Sequence, residues 1–289
     1  MRFEIRPAAD FDFYRGLEDV TREPFGLTEC LNGDRYTTVL FQEILTIRQE
    51  MTGGDLVAEW DGNSLKQRPI IEGEIRRRFG LDQDLNAFKC SVRDDSKLGP
   101  VVERLSGLTV FQKSTPFEAL VSAITDQQLT VHFATTLKRR LIETYGERID
   151  RGDIRLWNFP SPETLANIED QDLRPLQYSG SKSRSIVQLA KGVVSGDYPL
   201  YEWGGLNDED LQENLMGIYG VGRWTAEYTA LVGYGRSDVI PAADIGLQRA
   251  VGILYEMTDR PQESEVRTLA ERWRPFRGFA TYYIWHEFE

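Results

Sequence analysis

The chain has 289 residues, of which 40% are hydrophobic and 28% charged, and its formal net charge is −12 at pH 7. This composition is typical of a globular protein with room for two domains. No apolar run approaches the roughly 20 residues that cross a bilayer, and the start has no signal-peptide pattern, so we expect an intracellular protein. The acidic balance argues against unspecific affinity for nucleic acid, although a local patch can still be basic.

The cysteines and the local basic groups give no positive assignment. Cys30 and Cys90 lie far apart and indicate neither a disulfide framework nor a metal cluster. We interpret the basic groups as solvated helix faces. These groups are Lys138-Arg139-Arg140, Lys182 with Arg184, and Arg267, Arg272, Arg274 and Arg277.

The first 80 residues have the pattern of a mixed α/β region. Phe3 and Ile5 alternate with polar residues as in a strand, and a helix can follow over 11–20. Asn32-Gly33 and Gly53-Gly54 are typical of hairpin turns. A helix over 69–80 closes the region. Runs rich in Thr, Val, Ile and aromatic residues predict further strands at 27–31, 36–41, 44–50 and 56–60. We therefore predict a small, curved antiparallel sheet with two helices.

After residue 81 strands almost disappear and helical patterns take over. Caps and apolar periodicity predict helices at 117–125, 129–145, from 161, 181–194, 211–216, 244–255 and 264–273. An aromatic tail, Tyr282-Tyr283-Ile284-Trp285, follows. The fold class is thus α+β, with an α/β N-terminal domain over 1–85 and an all-helical region over 86–289.

The segment Tyr219-Gly220-Val221-Gly222-Arg223-Trp224 contains two glycines and lies between two amphipathic runs. In a helix–hairpin–helix, Gly220 and Gly222 can take backbone conformations that are closed to other residues. They also leave amides exposed at the start of the next helix, where a phosphate can bind even to an acidic protein. A plain corner between two helices is the alternative that this pattern alone leaves open.

Asp244 follows Trp224 by twenty positions, after the apolar segment Val239-Ile240-Pro241-Ala242-Ala243. Together with the hairpin and the C-terminal aromatics, this spacing resembles the helix–hairpin–helix DNA glycosylase superfamily, and within it the 3-methyladenine DNA glycosylase II branch. The resemblance covers most of the chain. It implies an N-glycosylase of base excision repair that flips alkylated bases of the 3-methyladenine and 7-methylguanine type out of duplex DNA and leaves an abasic site.

The resemblance makes Asp244 the catalytic residue. A fixed carboxylate stabilises the positive charge that develops on deoxyribose when an N-glycosidic bond breaks. Asp244 also stands at a helix N-cap, which is compatible with catalysis. Ala243 departs from members that carry a second Asp there. Trp224 stands where strand-cleaving relatives carry a Schiff-base lysine, so we expect a monofunctional enzyme.

The resemblance also assigns the base pocket to Trp224, Tyr228 and Trp285. A cationic alkylated base stacked on such rings gains about 0.5–2 kcal/mol. Each of these residues could instead be an ordinary core aromatic, although all three together are less easily explained in that way.

Three segments are expected to contact DNA. Gln127, Gln128 and Leu129 match the family's loop that enters the duplex, with Gln128 at the wedge position and Leu129 as the alternative after a one-residue shift. An ordinary polar turn between helices remains open for this loop. Ser179 and Lys182 resemble a loop near the DNA backbone. Gly220, Gly222 and Arg223 of the hairpin complete the set.

The resemblance implies a structural Na⁺ or K⁺ on the backbone carbonyls of Met216, Ile218 and Val221, and no required cofactor. We expect damaged duplex DNA as the partner, no membrane, a monomer, and a cytoplasmic, nucleoid-associated location. Two rival functions remain. A non-catalytic helix–hairpin–helix DNA-binding module would need neither Asp244 nor the pocket, and an oxidised-purine glycosylase/lyase is disfavoured by Trp224.

Overall fold

The structure is a computed structural model and describes residues 1–8, 11–20, 27–51, 53–62 and 65–288. Its N-terminal part is an antiparallel sheet of five strands in the order β1-β5-β4-β3-β2. The strands are β1 (Arg2–Ile5), β2 (Glu29–Asn32), β3 (Arg35–Leu40), β4 (Glu43–Gln49) and β5 (Leu56–Trp60). Gly33 turns the β2–β3 hairpin at φ +63°. The predicted antiparallel sheet is confirmed.

Helices cover one face of this sheet. The edge strand β1 alternates exposed and buried side chains, whereas β3 and β5 bury side chains on both faces. Helix α1 (Phe13–Val20) follows β1 in the chain, and helix α2 (Arg68–Arg78) comes after β5. Phe3, Tyr36 and Ile47 from the sheet form one core with Phe13 and Ile75 from these helices. Helix α2 was predicted over 69–80; in the structure it begins one residue earlier and ends two residues earlier.

A second hairpin covers the opposite face of the sheet, and the sequence analysis did not predict it. Strands β6 (Arg148–Arg151) and β7 (Ile154–Trp157) pair around Gly152, whose φ is +57°. Ile149 and Leu156 from this hairpin pack against Val39 and Ile44. The expectation that strands almost disappear after residue 81 is therefore wrong at this point.

The remainder of the described chain is helical. Its helices are α3 (Leu85–Val92), α4 (Leu98–Arg104), α5 (Pro116–Asp126), α6 (Val131–Tyr145), α7 (Pro162–Ala166), α8 (Gly180–Ser195), α9 (Asp208–Met216), α10 (Arg223–Tyr234), α11 (Ile245–Leu254), α12 (Glu263–Ala270) and α13 (Arg277–Phe288). Short 3-10 helices occur at Leu65–Gln67, Asp170–Leu173, Glu202–Gly205 and Glu271–Trp273. The α+β fold class is confirmed.

Side-chain caps set several of the helix boundaries. The hydroxyls of Thr115, Thr130 and Ser179 accept first-turn amides of α5, α6 and α8. Helix α6 consequently begins at Val131, two residues later than predicted. The aromatic tail, for which no helix was predicted, lies within α13. Strong caps therefore fix helix starts that apolar periodicity places only approximately.

The buried side chains of the described residues form one large helical core, a smaller core between the sheet and its helices, and the small cluster under the β6–β7 hairpin. The smaller core also takes in Leu81 and Phe111, so chain from both sides of residue 85 contributes to it. The division into domains at 85 and 86 stays a prediction. Within the described ranges, no helix is both long and apolar enough to cross a bilayer.

Candidate active site

The hairpin between α9 and α10 is built on one glycine with a left-handed backbone. Gly220 has φ +82°, and a Cβ placed on it would lie 2.0 Å from the Ser185 hydroxyl of α8. Gly222 has φ −92° and ψ 178°, an extended conformation open to any residue, and nothing lies within 4 Å of a Cβ built there. The expectation that both glycines need special conformations is thus correct for Gly220 and wrong for Gly222.

Gly222 instead matters because it is the N-cap of α10. A glycine cannot cap the first-turn amides with a side chain, so these donors remain available to another acceptor. Arg223, the first residue of the helix, is exposed beside them. A helix start with exposed amides and an adjacent arginine is an arrangement that binds an anion.

Asp244 is the N-cap of α11, and both of its carboxylate oxygens are held. Oδ1 accepts the Leu247 backbone N–H at 2.7 Å, and Oδ2 accepts the indole N–H of Trp224 at 3.1 Å. The side chain of Asp244 is half-buried. The cap on one side and the indole on the other therefore fix the direction of the carboxylate, and the sequence analysis did not anticipate the second contact.

The segment that leads to Asp244 is pinned to the helix that carries Trp285. Asp238 accepts the Arg277 guanidinium Nε at 2.8 Å and Nη2 at 3.1 Å, and Arg277 Nη2 also donates to the Asp238 carbonyl at 2.8 Å. Arg277 is the first residue of α13. This bidentate pair ties the Asp244 segment to the aromatic wall formed by α13.

The three predicted pocket aromatics meet at one cavity of about 300 Å³. Trp224 and Tyr228 stack with ring centroids 5.5 Å apart and planes at 24°, and Tyr228 lies 6.0 Å from Trp285. Asp244 also lines this cavity. All three aromatics are half-buried, so they are neither core residues nor scattered surface rings. The cavity size suits a small, flat aromatic ligand.

The cavity has a polar extension that the sequence did not indicate. Lys138 is 3% exposed and its ammonium lies 3.1 Å from the Asp126 carboxylate. The interpretation of Lys138 as part of a solvated face is therefore wrong. Further along, Arg78 donates to Glu29 at 2.6 Å, and burial raises the pKa of Tyr36, whose hydroxyl donates to the same carboxylate. Sheet residues thus contribute to the walls of the cavity.

The predicted wedge loop connects α5 to α6 at the mouth of the cavity. Gln128 is exposed and has a left-handed backbone with φ +55°, whereas Leu129 is half-buried and lines the cavity. The Gln127 side chain is directed toward the hairpin, where its amide donates to the Gly220 carbonyl at 3.0 Å and to the Thr225 hydroxyl at 2.9 Å. Of the three residues, Gln128 is the one directed away from the protein.

Ser179 and Lys182 lie at the start of α8. The Ser179 hydroxyl accepts the Lys182 N–H at 3.3 Å as an N-cap. The Lys182 ammonium donates to the carbonyls of Thr125 and Gln127, both at 2.6 Å. Burial lowers the pKa of Lys182 to about 8, although the nearby Asp126 charge opposes the change. DNA contacts by both residues stay predictions, and the Lys182 side chain has partners inside the protein.

The predicted cation ligands lie at the C-terminal end of α9. The carbonyls of Met216 and Val221 accept no backbone hydrogen bond from any described residue, and that of Ile218 accepts the Val221 N–H at 3.1 Å. Carbonyl oxygens at a helix C-terminus carry partial negative charge and are suitable donors for Na⁺ or K⁺. This donor set fits the predicted ion, whose binding remains a prediction.

Helix α10 also carries a buried ion pair. Glu227 is 4% exposed and accepts Arg267 Nη2 with both oxygens, at 2.8 and 3.0 Å. Burial raises the pKa of Glu227 to about 7, against the opposing charge of Arg267. Arg267 also binds Glu263 at 2.8 Å. This pair joins the hairpin helix to α12.

Sequence reasoning missed several residues that line the cavity. Tyr282, one turn before Trp285 on α13, belonged to the aromatic tail and could have been assigned from the spacing of three. Val131 is 74% exposed at the start of α6, next to the wedge loop. Glu29, Tyr36 and Arg78 carried no sequence signal, because only the packing of the sheet on the helical body brings them here.

A small antiparallel sheet joined to a helical body, with a glycine hairpin, a capped aspartate and an aromatic cavity, defines a helix–hairpin–helix glycosylase architecture. The family model described as HhH-GPD superfamily base excision DNA repair protein matches residues 121–275. The chain belongs to this superfamily, which confirms the resemblance that the sequence motifs indicated.

Three individual proteins illustrate the similarity. A DNA-3-methyladenine glycosylase of Bacillus subtilis (strain 168) is 30% identical over 219 residues, which cover 76% of this chain and 72% of that protein. DNA-3-methyladenine glycosylase 2 of Escherichia coli (strain K12) is 33% identical over 171 residues, or 59% of this chain and 57% of that protein. The structure of a 3-methyladenine DNA-glycosylase from Archaeoglobus fulgidus superposes with a TM-score of 0.87, at 22% identity, over 98% of this chain and 97% of that one.

Proposed function

We propose that this protein is a monofunctional DNA glycosylase that removes alkylated bases of the 3-methyladenine and 7-methylguanine type from duplex DNA in base excision repair. The observation that carries the proposal is the contact between Trp224 and Asp244, which joins an aromatic cavity to an oriented carboxylate. The names of the relatives, both DNA-3-methyladenine glycosylases, support the same substrate class.

The reaction breaks the bond between C1′ of deoxyribose and the base nitrogen. Asp244 stabilises the positive charge on the sugar as the bond lengthens. The cationic base leaves as a neutral molecule with the electron pair of the bond, and water adds its hydroxyl to C1′ and releases a proton to the solvent. The carboxylate does not have to reorient, because the Leu247 amide and the Trp224 indole hold it in place. An orientation fixed before the reaction lowers the barrier more than a mobile charge would.

The cavity recognises the base by its shape and charge. Trp224, Tyr228 and Trp285 present ring faces to a flat ligand, and an alkylated purine with a delocalised positive charge binds such faces better than a neutral one. The charge on the base also weakens the glycosidic bond. Modest selectivity in binding is therefore sufficient, since a normal base is both bound less well and cleaved less readily.

Affinity for DNA arises locally in a chain of net charge −12. The amides at the start of α10 bind a phosphate with the help of the helix dipole, and Arg223 adds a positive charge beside them. Na⁺ or K⁺ held by the Met216, Ile218 and Val221 carbonyls would strengthen the same phosphate site. The enzyme acts as a cytoplasmic, nucleoid-associated monomer without a required cofactor.

Trp224 carries the argument against strand cleavage. A lyase step needs an amine to attack C1′, and an indole offers none. A mere DNA-binding module has no use for a carboxylate held from two sides at the edge of an aromatic cavity.

The test uses duplex DNA with a single 7-methylguanine. We expect the full-length protein to release the free base and to leave a strand that breaks only on heating in alkali. Asp244→Asn should lose this activity, whereas Asp259→Asn, a matched change at an exposed aspartate, should retain it. Absence of base release by the unmodified protein would reject the glycosylase, and strand cleavage without alkali would reject the monofunctional assignment.

A further inference from the structure

Three elements that the family resemblance assigns to DNA contact are bound to one another inside the protein. They are the wedge loop (125–130), the hairpin (217–222) and the first two turns of α8. Each pair of these elements shares a specific contact between named atoms. The result is a closed triangle, in which no element can shift without disturbing the other two.

The contact between α8 and the wedge loop is made by Lys182. Its ammonium donates to the carbonyls of Thr125 and Gln127, at 2.6 Å each. Both carbonyls lie where α5 ends, so they lack intrahelical partners and would otherwise need water. The buried Tyr178 adds a second link from the same side, because its hydroxyl lies 3.3 Å from the Thr125 hydroxyl.

The contact between the wedge loop and the hairpin is made by Gln127. Its amide nitrogen donates to the Gly220 carbonyl at 3.0 Å and to the Thr225 hydroxyl at 2.9 Å. Gly220 belongs to the hairpin, and Thr225 belongs to the first turn of α10 that follows it. One side chain thus spans from the loop to both parts of the phosphate site.

The contact between the hairpin and α8 is a close approach of the backbone. A Cβ on Gly220 would lie 2.0 Å from the Ser185 hydroxyl, so the hairpin sits directly on α8. Ser185 follows Lys182 by one turn and faces the same side of the helix. A single helix therefore supports the hairpin with one turn and the wedge loop with the previous one.

We propose that Lys182 and Gln127 are positioning residues that set the wedge loop in register with the hairpin, so that Gln128 is aligned with the duplex when the hairpin binds phosphate. This inference rests on the proposed glycosylase function. It assigns Lys182 to the alignment of base flipping and gives it no direct contact with DNA. Gln128 has a left-handed backbone directly after residue 127, which Lys182 holds by its carbonyl and the hairpin holds by its side chain, so the direction of Gln128 depends on both contacts.

Three further features of the loop agree with this role. The Lys138–Asp126 pair holds the last residue of α5 from the cavity side, at 3.1 Å. Leu129 packs toward the cavity, and Thr130 caps α6. Gln128 and Thr130 are the exposed residues of this loop, and the Thr130 hydroxyl is held by its cap of α6.

The experiment separates alignment from phosphate binding. Lys182→Met removes the donors but keeps the length of the side chain, and Lys191→Met makes the same change at an exposed position of the same helix. Two quantities are measured for each variant: affinity for undamaged duplex DNA as a function of salt, and the single-turnover rate of 7-methylguanine release. Every variant is first checked for unchanged thermal unfolding.

For Lys182→Met we expect the single-turnover rate to fall by about tenfold or more, because small misplacements of a positioned group have large effects on rate. DNA affinity should change by less than about twofold, and the salt dependence should keep its slope. The defect should shrink when the lesion lies opposite an abasic site, where flipping needs less help. Lys191→Met should match the unmodified protein.

A second variant keeps the inference testable if Lys182→Met unfolds. Gln127→Glu is nearly isosteric and removes the N–H donors, so it should produce the same loss of rate. When both variants fold, their effects should be less than additive, since they act on one loop. Lys182→Arg, which retains donors, should restore part of the rate.

Two outcomes would overturn the inference. One is a salt slope that falls by about one unit with a matching loss of affinity, which would mean that Lys182 contacts a phosphate. The other is an unchanged single-turnover rate in both Lys182→Met and Gln127→Glu. Failure of the glycosylase proposal itself is recognised separately, because in that case the unmodified protein releases no base.

Discussion

Helices α10 and α11 both begin at the candidate active site, but their N-cap residues have different functions. The N-cap of α10 is Gly222, which has no side chain and leaves the helix amides free to bind an anion. The N-cap of α11 is Asp244, whose side chain occupies the Leu247 amide and is itself held by that bond. One helix start is thus open to a ligand, whereas the other uses its amide to fix a carboxylate.

The same local geometry, a helix start, can therefore supply either a binding site or a reactive group. In the proposed function, the anion bound at α10 is a DNA phosphate, so the negative charge belongs to the ligand. At α11 the negative charge belongs to the protein, and in the proposed reaction it faces a sugar that becomes positive. Exchanging the two cap chemistries should therefore damage binding at one site and chemistry at the other.

The largest expected effect is at the α11 cap. Asn caps a helix as well as Asp does, so Asp244→Asn should fold normally while the single-turnover rate falls by about 10²–10³-fold, the range seen for the loss of a major electrostatic contact. Asp244→Ala should lose the same activity and about 1 kcal/mol of stability as well. Thermal unfolding together with rate measurement separates the two functions of one side chain. Equal stability of the two variants would show that the cap contributes little.

The second largest effect is expected at Trp224. Trp224→Phe keeps an aromatic ring in the cavity and removes the N–H that Asp244 Oδ2 accepts at 3.1 Å. We expect the rate to fall by about tenfold, as for the loss of a hydrogen bond to a charged group. Trp157→Phe, on strand β7 away from the cavity, is the matched control.

The choice of lesion distinguishes two contributions of Trp224. A loss of carboxylate orientation should slow the release of a cationic base, 7-methylguanine, and of a neutral one, hypoxanthine, by the same factor. A loss of ring stacking should affect the cationic base more strongly. If only 7-methylguanine is affected, the indole N–H has no role in orienting Asp244.

The hairpin and the Asp244 position could be predicted from sequence because each is a local signal. Gly220 needs a positive φ within a short turn, and Asp244 follows an apolar run directly before a helix. Their contact could not be predicted, since the Trp224–Asp244 hydrogen bond spans twenty positions and depends on how α10 and α11 pack. Gly222 shows the limit of the local signal, because the same residue type serves there as an open cap and not as a turn.

Polar side chains away from the motif were harder to assign. Lys138 stands in a run of three basic residues, which is typical of a solvated surface, but the turn of α6 directs it to Asp126. The charge of Lys182 alone suggests a phosphate contact. Its actual partners are the carbonyls of Thr125 and Gln127, which only the structure shows, because they lie where α5 ends. The β6–β7 hairpin did carry a signal, since Ile149, Ile154 and Leu156 alternate with polar residues around Gly152.

A side chain that caps the α10 amides should close the open helix start. Gly222→Ser fits the extended backbone, and its hydroxyl would cap the amides that a phosphate needs. We expect stability to rise by a few tenths of a kcal/mol while DNA affinity falls by about two- to fivefold. Gly73→Ala, in an open position on α2, is the control for loss of a glycine.

Gly220 should respond in the opposite way. Its positive φ and its contact with Ser185 make Gly220→Ala destabilising, by about 1–3 kcal/mol. Comparison of the two variants by thermal unfolding and by DNA binding tests whether the glycines have distinct functions. Equal loss of stability in both would contradict the assignment of Gly222 as an unstrained cap.

The smallest effect on activity is expected at Glu227, which touches neither the cavity nor the hairpin amides. Burial raises its pKa from 4.5 to about 7, so the folded protein retains a proton that the unfolded chain releases between these values. Stability from this group is present below pH 4.5 and is lost as pH rises through about 7. Glu227→Gln, which cannot ionise, should flatten this part of the dependence of unfolding free energy on pH.

The base-release rate of Glu227→Gln at pH 7 should stay within about threefold of the unmodified protein, because Arg267 still joins α12 to the Ile240 carbonyl and the α10 cap is untouched. A steep pH dependence that persists in Glu227→Gln would assign the titration to another group and leave the Glu227–Arg267 pair ionised throughout.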